Sequence, residues 1–250
     1  NELAVMFLSE LSKSLLKDRL ARQFPDLITF AYFCRKSNLL NFKQMHLDDS
    51  FESNRFGWGV CLHITPANIP MNFAFSFIMG LLSGNNNIVR LPSTKFEQIN
   101  IFLGHFNRVV GIDSFKSLGK KNIFVRTKRD SNNLINLVSQ VSALVVWGGN
   151  STVNKFRHFD EKPTCVEAYF PDRTSSLLMN CDQLLDLTPI EMEKICVDFF
   201  NDTYLVDQNA CSSASIIFWY SQHNNFAKAK TLFSKNLNTY LAQHFKLKTI

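Results

Sequence analysis

The chain has 250 residues, of which 46% are hydrophobic and 19% charged. That balance fits a packed core and excludes an extended disordered tail, a collagen-like repeat and a disulfide-stapled miniprotein. Lys plus Arg number 27 against 21 Asp plus Glu, a formal net charge of +6, scattered along the chain; it permits an anionic ligand without selecting nucleic acid.

Leu3, Phe7, Leu8, Leu11, Leu15 and Leu16 recur at spacings of three and four and predict a helix over 2–19. A second helix is expected from Asp26 to near Ser37, followed by an exposed arm or loop over 41–56. From Gly57 the pattern changes. GVCLHI (59–64) reads as a buried strand, stopped by Pro66 and Pro70 in TPANIP (65–70). MNFAFSFIMGLL (71–82) fits a helix buried on most sides and is too short to span a membrane. SGNNN (83–87) is a turn, IVRL (88–91) a short strand, and 94–109 a helix.

The alternation continues with strands at NIFVR (122–126) and SALVVW (142–147), and helices near 131–139 and from Ser151. CVEAYF (165–170) and SSLLM (175–179) are further strands, Pro189 opens a helix to about Asn201, IIFWY (216–220) is a strand, and 225–244 is a final helix. This order predicts an α/β fold with a parallel sheet. The opening NELAVMFLSELSK carries neither an initiating Met nor an export signal, so a fragment of a longer protein is expected.

The six cysteines show no CxxC pair and no Cys–His ligand spacing, so neither structural zinc nor a disulfide framework is expected. Cys34, Cys61 and Cys196 sit in apolar patterns, Cys165 starts a strand, and Cys181 falls near a surface turn. Cys211 instead lies among Asp207, Gln208, Asn209, Ser212 and Ser213. Turn amides there can stabilise an anion, and a helix beginning just beyond would lower a thiol pKa; the bland alternative is a thiol tolerated in a polar loop. Neither GxGxxG nor GxxxxGK[ST] is present. WGGN (147–150), between strand and helix, fits a phosphate-receiving turn or a plain connection.

Asn68, between two prolines, suits either an oxyanion donor or a helix cap. Arg90 interrupts an apolar strand and needs a partner, either a carboxylate of the fold or a ligand phosphate or ribose. Glu167 reads as a base, an ion-pair partner or the outward side of its strand. His63 is expected on a strand near the site and His158 on the surface.

Taken together, HITPANIPMNFAFSFIMGLLSGNNNIVRLPS (63–93), WGGN (147–150), FPDRTS (170–175) and DQNACSSASIIFW (207–219) resemble the LuxC-type acyl-CoA reductases. That family is the NADPH-dependent component that makes long-chain aldehyde in bacterial luminescence, and it is similar to the wider aldehyde dehydrogenase superfamily. The resemblance implies an aldehyde dehydrogenase-like fold, with a helical arm and NADP(H)-binding domain over 1–163 and an incomplete catalytic thiol domain over 164–250. It implies Cys211 as nucleophile, Asn68 as oxyanion donor and Glu167 as a rough match to the general base. It places the cofactor, NADPH, against Thr65, Pro66, Arg90, Trp147, Gly148 and Gly149.

The implied substrate is a fatty acyl-CoA, or an acyl group from an acyl-protein synthetase. The implied setting is a cytoplasmic homo-oligomer complexed with that synthetase, without metal, nucleic acid or membrane span. The competing classes are an aldehyde dehydrogenase oxidising aldehyde to acid and a non-catalytic truncated α/β module.

Overall fold

The computed structural model describes residues 2–46, 56–128, 131–158, 164–204 and 208–244. The chain forms two compact units, Asn1–Pro171 and Asp172–Ile250.

The first unit begins with helices α1 (Glu2–Lys17), α2 (Pro25–Phe33) and α3 (Lys36–His46). Strands and helices then alternate: β1 (Val60–Ile64), α4 (Asn72–Leu82), β2 (Asn86–Arg90), α5 (Glu97–Val110), α6 (Lys116–Lys121), β3 (Asn122–Val125), α7 (Asn132–Val138), β4 (Ala143–Trp147), α8 (Asn150–Arg157) and β5 (Val166–Phe170). The five strands form one sheet in the order β3-β2-β1-β4-β5, every pairing parallel. The strand–helix alternation predicts this arrangement, because a parallel neighbour requires a crossover long enough to hold a helix.

Strand side chains alternate between two covered faces. On one face Val89 and Phe124 join the large core made by α1, α2, α4 and α5. On the other, Leu62, Ile64, Leu144 and Val146 pack with Leu134 and Val138 of α7 and Val153 and Phe156 of α8. Much of the unusual Phe content is spent on the first face. Phe124 meets Phe77, Phe102 and Phe106 edge-on, with ring centroids 5.0–5.6 Å apart, the geometry that the ring quadrupole favours.

The structure departs from the sequence reading in three places here. The second helix stops at Phe33, and α3 occupies part of the expected arm. Burial of Leu39 and an edge-on contact between Phe42 and Phe33 give α3 a core face that its polar composition hides; residues 47–55 of the expected arm lie outside the described residues. Strand β2 starts at Asn86, two residues early, because Asn86 N–H donates to Gly59 C=O and so joins the ladder. The units divide after Pro171 rather than after residue 163, since β5 is hydrogen-bonded to β4 along its whole length.

The second unit contains β6 (Ser175–Asn180), α9 (Cys181–Leu185), α10 (Pro189–Thr203), β7 (Ala214–Tyr220) and α11 (Phe226–His244). Strands β6 and β7 pair in parallel. Met179, Cys181, Leu184, Met192, Cys196, Phe199, Ala229 and Phe233 form its core. Cys181 is therefore a buried first residue of α9, not a surface-turn residue. Helix α10 starts at a capping box: Thr188 and Glu191 satisfy each other's backbone N–H, with Pro189 at the first helical position.

Candidate active site

Strand β1 is central. The chain runs from β1 outward through β2 to β3, then returns to place β4 on the other side of β1. The direction of winding thus reverses between β1 and β4, and the loops leaving their carboxyl ends flank a crevice. In open α/β sheets that crevice is where ligands bind. The TPANIP loop leaves β1 and the Gly148–Gly149 turn leaves β4, so seven of the nine sequence-chosen site residues belong to this rim or to the adjacent end of β2.

Thr65 is fully buried, and its Oγ1 donates to the Arg90 carbonyl at 2.6 Å, tying the exits of β1 and β2. Arg90 is 2% exposed, and its Nε donates to the Thr127 carbonyl at 3.0 Å, which gives this strand cation a main-chain partner beyond β3. Pro66 is half-buried and Asn68 exposed. The cap of α4 is Met71, with no side-chain bond, so Asn68 does not serve as the cap. Gly149 caps α8, also without a side-chain bond. A Cβ at Gly148 would lie 3.1 Å from the Thr152 side chain, so the start of α8 packs closely against a residue without one.

Trp147, the last residue of β4, stacks on Phe170 with centroids 3.8 Å apart and ring planes 8° apart. Its indole begins a hydrogen-bonded chain that sequence reasoning missed. Trp147 Nε1 donates to Ser76 Oγ (3.0 Å), which lies 2.8 Å from His63 Nδ1; His63 Nε2 lies 2.9 Å from Asn87 Oδ1. Asn87 Nδ2 donates to Asn122 Oδ1, and Asn122 Nδ2 to the Leu118 carbonyl, both at 2.7 Å. The carbonyl end forces the polarity: the Leu118 carbonyl can only accept, so each amide donates toward it, His63 Nε2–H donates to Asn87 Oδ1, and burial keeps the ring neutral. Ser76 therefore donates to His63 Nδ1, and His63 is the neutral tautomer with its proton on Nε2. The clue in the sequence was faint. Ser76 and Gly80 fall one turn apart on an otherwise apolar helix, and His63 and Asn87 lie on neighbouring buried strands.

Glu167 stands apart. It is exposed on edge strand β5, in register with Leu144 and three residues before Phe170, so it lies below the rim. The expected base role has no geometric support within this unit.

In the second unit, Cys211 is the exposed member of the six cysteines. It lies in a turn closed by Ser213 N–H on the Ala210 carbonyl (3.0 Å), and Ser175 Oγ donates to the Cys211 carbonyl at 2.6 Å. Strand β7, not a helix, follows, so no helix dipole acts on this thiol from that side. Burial instead pushes the Cys61 thiol up to about 12 and raises Cys34 further, making both unreactive. Ser212 lines a cavity of about 460 Å³ together with Leu177, Met179, Leu184, Ile195 and Phe199.

Comparison with known proteins agrees with this architecture. Solved structures that the chain resembles include aldehyde dehydrogenases. The propionaldehyde dehydrogenase of Rhodopseudomonas palustris with bound propionyl-CoA is 15% identical, with a TM-score of 0.60, over 95% of this chain and 53% of that one. The NAD-dependent benzaldehyde dehydrogenase of Corynebacterium glutamicum is 11% identical, with a TM-score of 0.65, over 96% of this chain and 54% of that one. The fold is thus that of the aldehyde dehydrogenases. The acyl-CoA reductase (LuxC) family model matches residues 9–247, and the chain belongs to that family. A long-chain acyl-protein thioester reductase of Vibrio harveyi is 21% identical over 187 residues, 74% of this chain and 36% of the relative. The chain therefore spans about a third of that relative and about half of the solved structures.

Burial holds His63 down to about 4, against the smaller opposing effect of its bond to Asn87. The unfolded chain protonates near 6.5, so it takes up a proton between pH 6.5 and 4 that the folded protein refuses. Stability is complete above pH 6.5 and falls by up to about 3 kcal/mol on acidification to pH 4. Urea midpoints across that range should show this loss in wild type and lack it in H63Q; parallel profiles would refute it. A Cβ at Gly80 would sit 2.1 Å from Asn87 Oδ1. Gly80→Ala should therefore cost about 1–3 kcal/mol in a denaturant titration, although alanine is the better helix former.

Proposed function

We propose that this chain carries the cofactor rim and the nucleophile of an enzyme that reduces a long-chain fatty acyl thioester to its aldehyde with NADPH. The observation that carries the reading is the exposure of Cys211 in a turn, where the other cysteines are wholly or partly buried. Family membership and the rim at the β1/β4 crevice support it.

Cys211 thiolate attacks the thioester carbonyl carbon; the bond from that carbon to the departing thiol breaks, leaving an S-acyl cysteine. The Cys211 backbone N–H receives the oxyanion formed in this step, and the family resemblance assigns the Asn68 amide the same role. When bound, the reduced nicotinamide supplies a hydride to the acyl carbon. Expulsion of Cys211 thiolate from the thiohemiacetal then releases aldehyde and restores the enzyme.

The donor set fits an anionic dinucleotide. Pro66, Trp147, Gly148 and Gly149 form the seat, the uncapped start of α8 faces phosphate, and buried Thr65 and Arg90 set the strand exits beneath it. Exposed Arg126 and Lys128, just beyond β3, add the positive charge that a phosphorylated ribose attracts.

Reduction requires no activated water, which agrees with a Glu167 that lies off the rim; oxidation of aldehyde to acid would require a base there. The cavity beside Ser212, whose walls are mostly apolar and also carry Asp198 and Asp202, suits an acyl chain. The name of the Vibrio harveyi relative supports an acyl-protein thioester as substrate, and the family model supports an acyl-CoA; the proposal sets the enzyme in a cytoplasmic homo-oligomer complexed with an acyl-protein synthetase. No helix among the described residues is long and apolar enough to cross a membrane.

In the full-length protein, C211S should abolish covalent labelling by a radioactive acyl thioester; undiminished labelling removes the nucleophile. Asn68→Ala should lower kcat by ~10²–10³ with cofactor affinity retained, read by steady-state kinetics beside NADPH titration. Unchanged kcat would leave Asn68 a loop residue only.

A further inference from the structure

We propose that Ser76 and His63 are positioning residues for the nicotinamide dinucleotide seat. They fix the indole of Trp147 through the hydrogen-bonded chain that ends on the Leu118 carbonyl. The proposal rests on the reading that the exits of β1 and β4 hold the dinucleotide, and it adds to that reading how the wall of the seat is held.

The chain crosses the sheet beneath α4, joining α4, β1, β2 and β3 to the last residue of β4. His63, Ser76, Asn87 and Asn122 are each no more than 4% exposed. Placing four polar side chains beside a phenylalanine core is costly unless each is satisfied, and here every link has a donor and an acceptor. Such a network specifies one arrangement rather than merely adding stability.

Its outer end is the functional one. Trp147 is half-buried at the crevice, with one ring face covered by Phe170 and its N–H committed to Ser76. Swinging the indole would break the stack and strand its N–H, so the ring is held in a single pose before any ligand arrives. Gly80 allows this, because any side chain there would occupy the position of Asn87 Oδ1. Neither Ser76 nor His63 reaches the ligand; both act through Trp147.

The test is a double-mutant cycle in the full-length enzyme, with the NADPH dissociation constant read by nicotinamide fluorescence and the fold by thermal unfolding. Ser76→Ala should raise the dissociation constant roughly five- to tenfold, the loss of one buried hydrogen bond. In a W147F background, which has no N–H to place, the same change should shift it less than twofold. Wild-type affinity in S76A, or equal weakening in both backgrounds, would overturn the proposal and leave the chain of bonds a stability device. Should S76A fail to fold, S76C, which keeps the volume but accepts only weakly, is read in the same cycle. If the wild-type enzyme binds no dinucleotide, the seat reading falls and this role falls with it. The Trp147 emission, isolated as the difference between each protein and its W147F counterpart because Trp58 and Trp219 also emit, still distinguishes that case, since it shifts in S76A only when the hydroxyl sets the indole.

Discussion

Strand β1 is hydrogen-bonded along both edges, to β2 and to β4, and the first unit depends on that double pairing. Because every neighbour is parallel, the strand exits gather at one rim. Because the chain turns back across β1, the loops at the centre of that rim diverge to opposite faces. Residues as distant in sequence as Thr65, Arg90 and Gly148 become neighbours for this reason alone. The proposed cofactor seat needs no glycine-rich fingerprint, since two loop exits and the start of a helix supply the backbone surface.

The same face of the sheet holds two contrasting materials. Toward β3, aromatic rings from α4, α5 and Phe124 interlock edge to face and form a core by shape. Crossing the same face from β3 to β4, the polar chain from Asn122 to Trp147 forms a core by direction, each bond dictating the next. Helix α4 serves both, burying Phe73 and Phe77 in the first and offering Ser76 and Gly80 to the second. Keeping His63 neutral is part of that design, because a proton on Nδ1 would reverse the bond that Ser76 makes to it.

The second unit has a different logic. Its two-stranded parallel sheet rests against helices α9, α10 and α11, and the loop before β7 presents Cys211 outward. Thr188 and Asn180 stop their helices from unravelling at the start, and the Ser175 hydroxyl holds the Cys211 carbonyl in its turn. Cys211 is exposed while its carbonyl is held in the turn by Ser175.

Sequence alone determined the element order, the parallel α/β class and the chemical candidates. Apolar runs broken by Pro66, Pro70 and Pro92 are local signals, and Cys211 in a polar loop differs from Cys34 in an apolar one without any reference to space. What needed the tertiary structure was every relation that depends on register. Leu39 buried in a polar helix, β5 assigned to the first sheet, Glu167 below the rim and the line from Leu118 to Trp147 all arise from which residue faces which across strands. Side-chain period along a strand is readable, but the alignment between strands far apart in sequence is set only when the sheet forms, and hydrogen-bond partners are chosen by that alignment.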